Sequence, residues 1–133
     1  MSIDIQEAQR IVTITLNGVI TEEDVTALLE GIKSHLQRTT VPLAIVIDLI
    51  ASDAGTAKTR STIGDFFSGK KVRFGLCAGM AAVAKTEGQQ AFLRGILAMG
   101  PMPCPYRLFE MQGEASTWAR NRIKDTEPPR TED

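Results

Sequence analysis

The sequence has few of the residue types from which metal sites and catalytic centres are commonly built. Among 133 residues there are one histidine and two cysteines, and Cys77 and Cys104 do not form a C-x-x-C pair. A single histidine, His35, excludes a multi-histidine metal site, and no cysteine or carboxylate is spaced to complete another kind. Nothing places either cysteine beside His35 as a catalytic pair, so we expect free, buried or partly buried thiols and no disulfide framework. The sequence predicts no metal, no cofactor and no catalytic residue.

The sequence also lacks an excess of charge of either sign. It contains 15 basic and 16 acidic residues, with a formal net charge of -1. Proteins that bind nucleic acid usually carry a basic patch or stripe, so nucleic acid is not expected as a partner. The glycines form neither a G-x-G-x-x-G motif nor a P-loop, so nucleotide binding is not indicated.

Long hydrophobic runs are absent too. No apolar segment approaches the roughly 20 residues of a membrane span, and the acidic first residues do not fit the basic and apolar regions of a signal peptide. We therefore expect a soluble, cytoplasmic protein. The 133 residues are enough to bury a core as one domain, which we place at residues 1–123. Residues 124–133 are all polar or proline, and we expect them to form a disordered tail.

Strand and helix patterns alternate along the chain. Thr21 and Thr86 are predicted N-caps, because each precedes a helical apolar pattern and Gln89 stands at the capping-box position of the second. Residues 72–77 or 80–85 could form the strand before Thr86, and we favour 80–84 because it leads directly into that helix. The other predicted strands are 3–7, 11–16, 43–50 and 106–111, and the predicted helices are 21–37, 58–68, 86–100 and 114–123.

The order β-β-α-β-α-β-α-β-α predicts the α/β class. Strands that alternate with helices at this spacing form parallel pairs joined by right-handed crossovers. We expect a mostly parallel sheet of about five strands, with the first two strands paired as a hairpin. If consecutive strands are also neighbours, these crossovers place the helices mainly on one face of the sheet.

The most informative segment is the apolar run at residues 43–50 and the turn that follows it. The run is typical of a buried parallel strand, which would deliver the turn to the carboxyl edge of the sheet, where open α/β folds usually place their sites. Asp48 near the strand end is a candidate functional carboxylate, although capping the turn is the commoner role. Further candidate site residues follow in the turn and the first helical turn at that edge: Ser52, Asp53, Gly55, Thr56 and Thr59.

Three short motifs are the strand ending V-I-D-L at 46–49, the strand P-Y-R-L-F at 105–109, and the later Glu114-Ala115 with Trp118. Together with the order of strands and helices, these motifs resemble the SpoIIAA-like or STAS superfamily. The resemblance is to the small stand-alone bacterial proteins of that group, described as STAS/SEC14-like and of unknown function. Residues 80–119 match best, whereas residues 1–78 are similar in topology only.

The resemblance implies a non-enzymatic binding or regulatory fold. In the anti-sigma-factor antagonists of the superfamily, a partner kinase phosphorylates a serine in a D-S-S-G turn after the central strand. This chain has Asp53-Ala54-Gly55 there, so alanine stands in place of the serine. The resemblance therefore implies a phosphorylation or partner-binding loop in which Ser52, Thr56 and Thr59 remain as candidate hydroxyls, where backbone N–H groups and the helix dipole would favour a phosphate.

Two hypotheses from different classes follow. The first is a STAS-like regulatory or protein-interaction module without catalysis, which works through the loop from Ala51 to Thr62 and forms a homodimer. The alternative is a carrier or sensor of an apolar or amphipathic small molecule held between helices, in a pocket lined by Phe66, Phe67, Phe92 and Met99, although core packing also explains these residues. An enzyme with Asp48 as general base ranks third, because no second catalytic group can be named.

Overall fold

A five-stranded sheet organises the fold. The computed structural model describes residues 3–53, 55–69 and 74–126. The strands lie in chain order, with the first pair antiparallel and the other pairs parallel, which confirms the predicted α/β class. The elements are β1 (Ile3–Ala8), β2 (Ile11–Leu16), α1 (Glu22–Arg38), β3 (Leu43–Asp48), α2 (Ala57–Ser68), β4 (Cys77–Val83), α3 (Glu87–Leu97), β5 (Tyr106–Phe109) and α4 (Gln112–Thr126).

The favoured strand at residues 80–84 corresponds to β4, but β4 begins three residues earlier, at Cys77. The other candidate strand, at residues 72–77, overlaps β4 only at Cys77, and Val72 lies outside the described residues. The extra length comes from pairing with β3, where a register irregularity between Leu43 and Ala44 accommodates the first residues of β4. The hydrophobic pattern of one segment does not show how many further residues a neighbouring strand recruits into the sheet by pairing.

The helices divide unequally between the two faces of the sheet. Helices α1, α2 and α3 cover the face that carries Val12, Ile14 and Ile45, whereas α4 packs on the opposite face against Ala44 and Val46. The first three helices connect neighbouring parallel strands, so right-handed crossovers place them together. Helix α4 follows the last strand and makes no crossover, so it is free to cover the other face. Both faces of β3 are therefore buried, which explains its continuous apolar run.

Local capping fixes where two helices begin. The Thr21 hydroxyl accepts the Asp24 N–H at 3.1 Å, and the Asp24 carboxylate accepts the Thr21 N–H at 2.9 Å. Thr86 and Gln89 form the equivalent capping box of α3. Both predicted N-caps are confirmed, because such hydrogen bonds join residues three apart and need no tertiary information.

Helix ends are less well predicted. Helix α3 ends at Leu97 rather than Gly100, and α4 begins at Gln112 and continues to Thr126, beyond the predicted 114–123. The remaining residues of the predicted disordered tail, 127–133, lie outside the described residues, so that prediction stays untested. None of the helices in the described part of the chain has the length and apolar content needed to cross a membrane.

Candidate interaction surface at the carboxyl edge of the sheet

The loop between β3 and α2 emerges at the carboxyl edge of the sheet, as predicted. Asp48, the last residue of β3, accepts the Ile50 N–H at 2.9 Å through Oδ1. The carboxylate therefore caps the turn, which is the commoner of the two roles considered for it. Within the described residues, no three histidine, cysteine or acidic side chains cluster in a way that could hold a metal ion.

The same loop is joined to the loop that follows β2. The Gly18 N–H donates to the Ala51 carbonyl at 3.0 Å, and the Asp53 N–H donates to the Gly18 carbonyl at 2.8 Å. Gly18 has a φ of +70°, in the left-handed region that favours glycine. These bonds make a parallel bridge between Gly18 and Ser52 and extend the β2–β3 pairing beyond the strands.

Gln89 clamps this loop from the start of α3. Its side-chain Nε2 donates to the carbonyls of Leu49, Ile50 and Ser52 at 2.7, 3.1 and 2.8 Å. Its Oε1 accepts the backbone N–H groups of Lys85 and Thr86 at 2.9 and 3.1 Å. One buried amide thus caps the start of α3 and holds three carbonyls of the β3–α2 loop. The sequence revealed only the capping half of this role.

The candidate hydroxyls of the loop differ in accessibility. Ser52 is 7% exposed, and its hydroxyl donates to the Leu49 carbonyl at 2.7 Å. Thr59 is 1% exposed, and its hydroxyl donates to the Thr56 carbonyl at 2.9 Å. Thr56 is exposed and is the N-cap of α2, where its Oγ1 accepts the Thr59 N–H at 3.2 Å. Of these three residues, only Thr56 is open to solvent.

Gly55 allows the loop to approach α3 closely. A Cβ at this position would lie 2.6 Å from both Phe92 Cε1 and Thr59 Oγ1. Glycine is therefore required by space rather than by backbone conformation. Of the Asp53-Ala54-Gly55 turn, the structure describes Asp53 and Gly55, whereas Ala54 lies outside the described residues.

Two apolar side chains are exposed on the joined loops. Val19 is 66% exposed and Ile50 is 40% exposed, in the two loops that the Gly18–Ser52 bridge joins. Asp53 is also exposed beside them. At the start of α2, Lys58 pairs with Glu22 of α1 at 3.2 Å, and both side chains are well exposed. We call the surface formed by Val19, Ile50, Asp53 and Thr56 the carboxyl-edge surface.

A small apolar cavity lies on the face covered by α2 and α3, beside β5. Its volume is about 60 Å³. Of the four residues named for an apolar pocket, Phe67 and Phe92 line this cavity, whereas Phe66 and Met99 do not. Phe66 instead packs edge-on against Phe67, with ring centroids 5.3 Å apart, and Met99 lies over Gly64 of α2. Other lining residues come from the sheet and α3, including Leu16, Ile47, Met80, Leu93, Ile96, Tyr106 and Leu108.

The two cysteines are free thiols, as expected, but the fold brings them together. Their Sγ atoms are 3.4 Å apart, with Cys77 buried at the start of β4 and Cys104 partly exposed before β5. Sequence reasoning treated them as unrelated. The pairing of β4 with β5 explains the contact, because it aligns Tyr106 with Met80 and so brings the residues before Tyr106 beside the residues before Met80.

Comparisons with known proteins identify the fold. No protein-family model matches the sequence, and a search of curated proteins finds no match. Among solved structures, an uncharacterised protein of the DUF3478 family with a SpoIIAA-like fold, from Shewanella loihica PV-4, is 19% identical, with a TM-score of 0.57 over 88% of this chain and 91% of that one. An anti-sigma factor antagonist from Mycobacterium paratuberculosis is 18% identical, with a TM-score of 0.59 over 89% of this chain and 92% of that one. The predicted resemblance is confirmed at the level of fold, and the chain has a SpoIIAA-like α/β fold.

Proposed function

We propose that this protein is a non-catalytic regulatory module that binds a protein partner through its carboxyl-edge surface. The main support is the exposure of Val19 and Ile50 on two loops that are hydrogen-bonded to each other. Apolar side chains in such a position gain free energy when a partner removes them from water. One of the two similar structures is an anti-sigma factor antagonist, so the fold is compatible with a regulatory role.

The hydrogen bonds of Gln89 support a preformed surface. A loop that is already ordered loses less conformational entropy when it binds, so more of the contact energy appears as affinity. Gln89 holds three carbonyls of the β3–α2 loop, and Asp48 caps its first turn. These bonds support a loop that presents Ile50 to a partner in a fixed conformation.

The carrier hypothesis has weaker support. Pockets for small molecules usually have volumes of about 300–1,000 Å³, whereas the apolar cavity beside β5 measures about 60 Å³. Two of the four residues proposed for it, Phe66 and Met99, do not line it. A second, more open depression of about 360 Å³ lies between α1 and α2 and is lined by Phe66, but Glu30, Lys33 and Asp65 also line it, so it is poorly suited to an apolar ligand.

Thr56 is the residue at which we place modulation by phosphorylation. It is exposed, whereas Ser52 and Thr59 are buried and would require the loop to open before a kinase could reach them. The first turn of α2 contains no acidic residue and does contain Lys58. A phosphate on Thr56 would therefore meet backbone N–H groups and could draw Lys58 from its exposed pair with Glu22, and it would add negative charge to the carboxyl-edge surface.

A paired substitution tests the proposal. Ile50→Glu places a charge on the carboxyl-edge surface, and Val41→Glu is its matched control, because Val41 is 43% exposed at the opposite edge of the sheet. Each tagged protein is used to capture partners from its host, with quantification by mass spectrometry. We expect Ile50→Glu to reduce recovery of specific partners by about tenfold or more, since central apolar contacts dominate interface energies. Val41→Glu is expected to leave recovery unchanged.

Thr56→Asp and Thr56→Asn test the modulation in the same assay. Both residues keep an N-cap oxygen, so only Thr56→Asp adds charge. A difference between these two variants would support control at Thr56. The surface assignment is wrong if Ile50→Glu and Val41→Glu retain the same partners equally, and the proposed function fails if no specific partner, including a second copy of the chain, is recovered.

A further inference from the structure

We propose that Cys77 and Cys104 form an oxidation site, in which a hydroperoxide converts the two thiols into an intramolecular disulfide. Their Sγ atoms are 3.4 Å apart. Cys77 begins β4, at the amino edge of the sheet. The site is therefore separate from the carboxyl-edge surface, and it holds or fails independently of the proposed function.

The pairing of β4 with β5 explains why the thiols meet. Tyr106 is opposite Met80, and the Met80 N–H donates to the Pro105 carbonyl at 2.8 Å. The connection before β5 consequently runs beside the first residues of β4. Cys104 lies in this connection between Pro103 and Pro105, whose rings restrict the backbone on both sides.

Cys77 is anchored as well. Its N–H donates to the Phe74 carbonyl at 2.9 Å, and the neighbouring Leu76 carbonyl accepts the Leu43 N–H at 2.9 Å. A disulfide has an S–S bond of about 2.05 Å, so the sulfur atoms must approach by about 1.4 Å. Rotation of the side chains and a small shift of the connection that carries Cys104, which lies outside the helices and strands, provide this movement.

The two thiols are not equivalent. Cys77 is buried, and its S–H donates to the Cys104 sulfur. This hydrogen bond lowers the pKa of Cys104, whereas the same bond and burial raise the pKa of Cys77. Because the thiolate is the nucleophile, the partly exposed Cys104 is the sulfur that attacks the oxidant and Cys77 is the sulfur that resolves the product.

The reaction has two balanced steps. The Cys104 thiolate attacks one oxygen of hydrogen peroxide, the O–O bond breaks, and Cys104 sulfenic acid and hydroxide form. The Cys77 sulfur then attacks the sulfenic sulfur, the S–O bond breaks, and the Cys77 proton leaves with the departing hydroxide as water. In total, two thiols and one peroxide give one disulfide and two waters.

Intact mass under denaturing conditions tests the site on the full chain. The reduced protein is treated with hydrogen peroxide and then alkylated. We expect a monomer that has lost about 2 Da and takes up no alkylating reagent, and that recovers both thiols after reduction. The chain contains no other cysteine, so the mass change assigns the bond directly.

Two variants test the assigned roles. Cys77→Ser is expected to stop at a sulfenic acid, about 16 Da heavier, that dimedone traps at Cys104. Cys104→Ser is expected to leave Cys77 largely unmodified under the same treatment, because burial keeps the oxidant from its thiol. Circular dichroism establishes that both variants are folded.

The wild-type result alone can overturn the proposal. Peroxide treatment that gives only disulfide-linked dimers, or over-oxidised Cys104 beside a free Cys77, would show that the two thiols do not couple within the chain. Equal reactivity of Cys77 and Cys104 in the two variants would contradict the assignment of attacking and resolving sulfurs.

Discussion

At the scale of single residues, Gln89 has two structural roles. Its amide completes a capping box, and its two N–H groups are shared among three carbonyls of the β3–α2 loop. The capping role was predictable, because Thr86 and Gln89 are three residues apart. The role of its N–H groups as donors to the loop was not predictable, because the accepting carbonyls, from Leu49 to Ser52, are 37 to 40 residues away in the chain.

Gln89→Glu separates these two roles. Glutamate keeps the oxygen that accepts the Lys85 and Thr86 N–H groups, but it replaces the donating amide with an oxygen that faces three carbonyls. We expect the free energy of unfolding to fall by about 1–3 kcal/mol, because buried acceptors lose their donor. Urea denaturation at neutral pH measures this change.

The pH dependence of that variant provides a second measurement. The carbonyls favour the protonated carboxyl in the folded protein, so the pKa of the introduced glutamate is raised above its unfolded value of about 4.3. The folded state then binds more protons, and the deficit relative to wild type shrinks as the pH falls through the folded pKa. A deficit that is absent, or that is independent of pH, would contradict the role given to the Gln89 amide.

At the scale of elements, the placement of α4 depends on small residues in the sheet. A Cβ at Gly79 of β4 would lie 2.9 Å from Trp118 and 3.0 Å from Arg122. The Arg122 Nε also donates to the Ala78 carbonyl at 3.1 Å. The absence of a side chain at Gly79 thus lets α4 rest directly on β4.

We therefore expect Gly79→Ala to lower the free energy of unfolding by about 1–3 kcal/mol, because the added methyl group overpacks the contact with Trp118. Gly75→Ala is the matched control, since a Cβ there has no neighbour within 4 Å. Its effect should remain within about 0.5 kcal/mol. Thermal denaturation of both variants tests the difference, and equal stabilities would show that α4 adjusts freely.

Element order was predictable to a greater extent than element contacts. Alternating, continuous apolar and helical patterns indicated the order of the elements, since each pattern is local, although two segments, 72–77 and the favoured 80–84, were candidates for the strand before Thr86. The sequence did not show that α4 leaves the face covered by α1 to α3, because its position follows from packing rather than connectivity. Similarly, the contact between Cys77 and Cys104 depends on the β4–β5 register, which neither segment specifies alone.

At the scale of the whole molecule, one sheet supports two cores. The larger core lies beneath α1, α2 and α3, and the smaller core lies beneath α4. β3 contributes to both, with Ile45 on one side and Val46 on the other, each fully buried. Loss of either core would expose one face of β3, so the two should be lost together.

The single tryptophan makes this coupling measurable. Trp118 lies on α4, with its ring centroid 5.9 Å from that of Phe109, so its fluorescence reports the smaller core. Far-ultraviolet circular dichroism reports helices on both faces. We expect the two signals to give the same urea midpoint and the same slope, as a two-state transition requires. A fluorescence transition at lower urea would show that α4 detaches first, and the smaller core would then be a separate cooperative unit on a sheet that the larger core holds together.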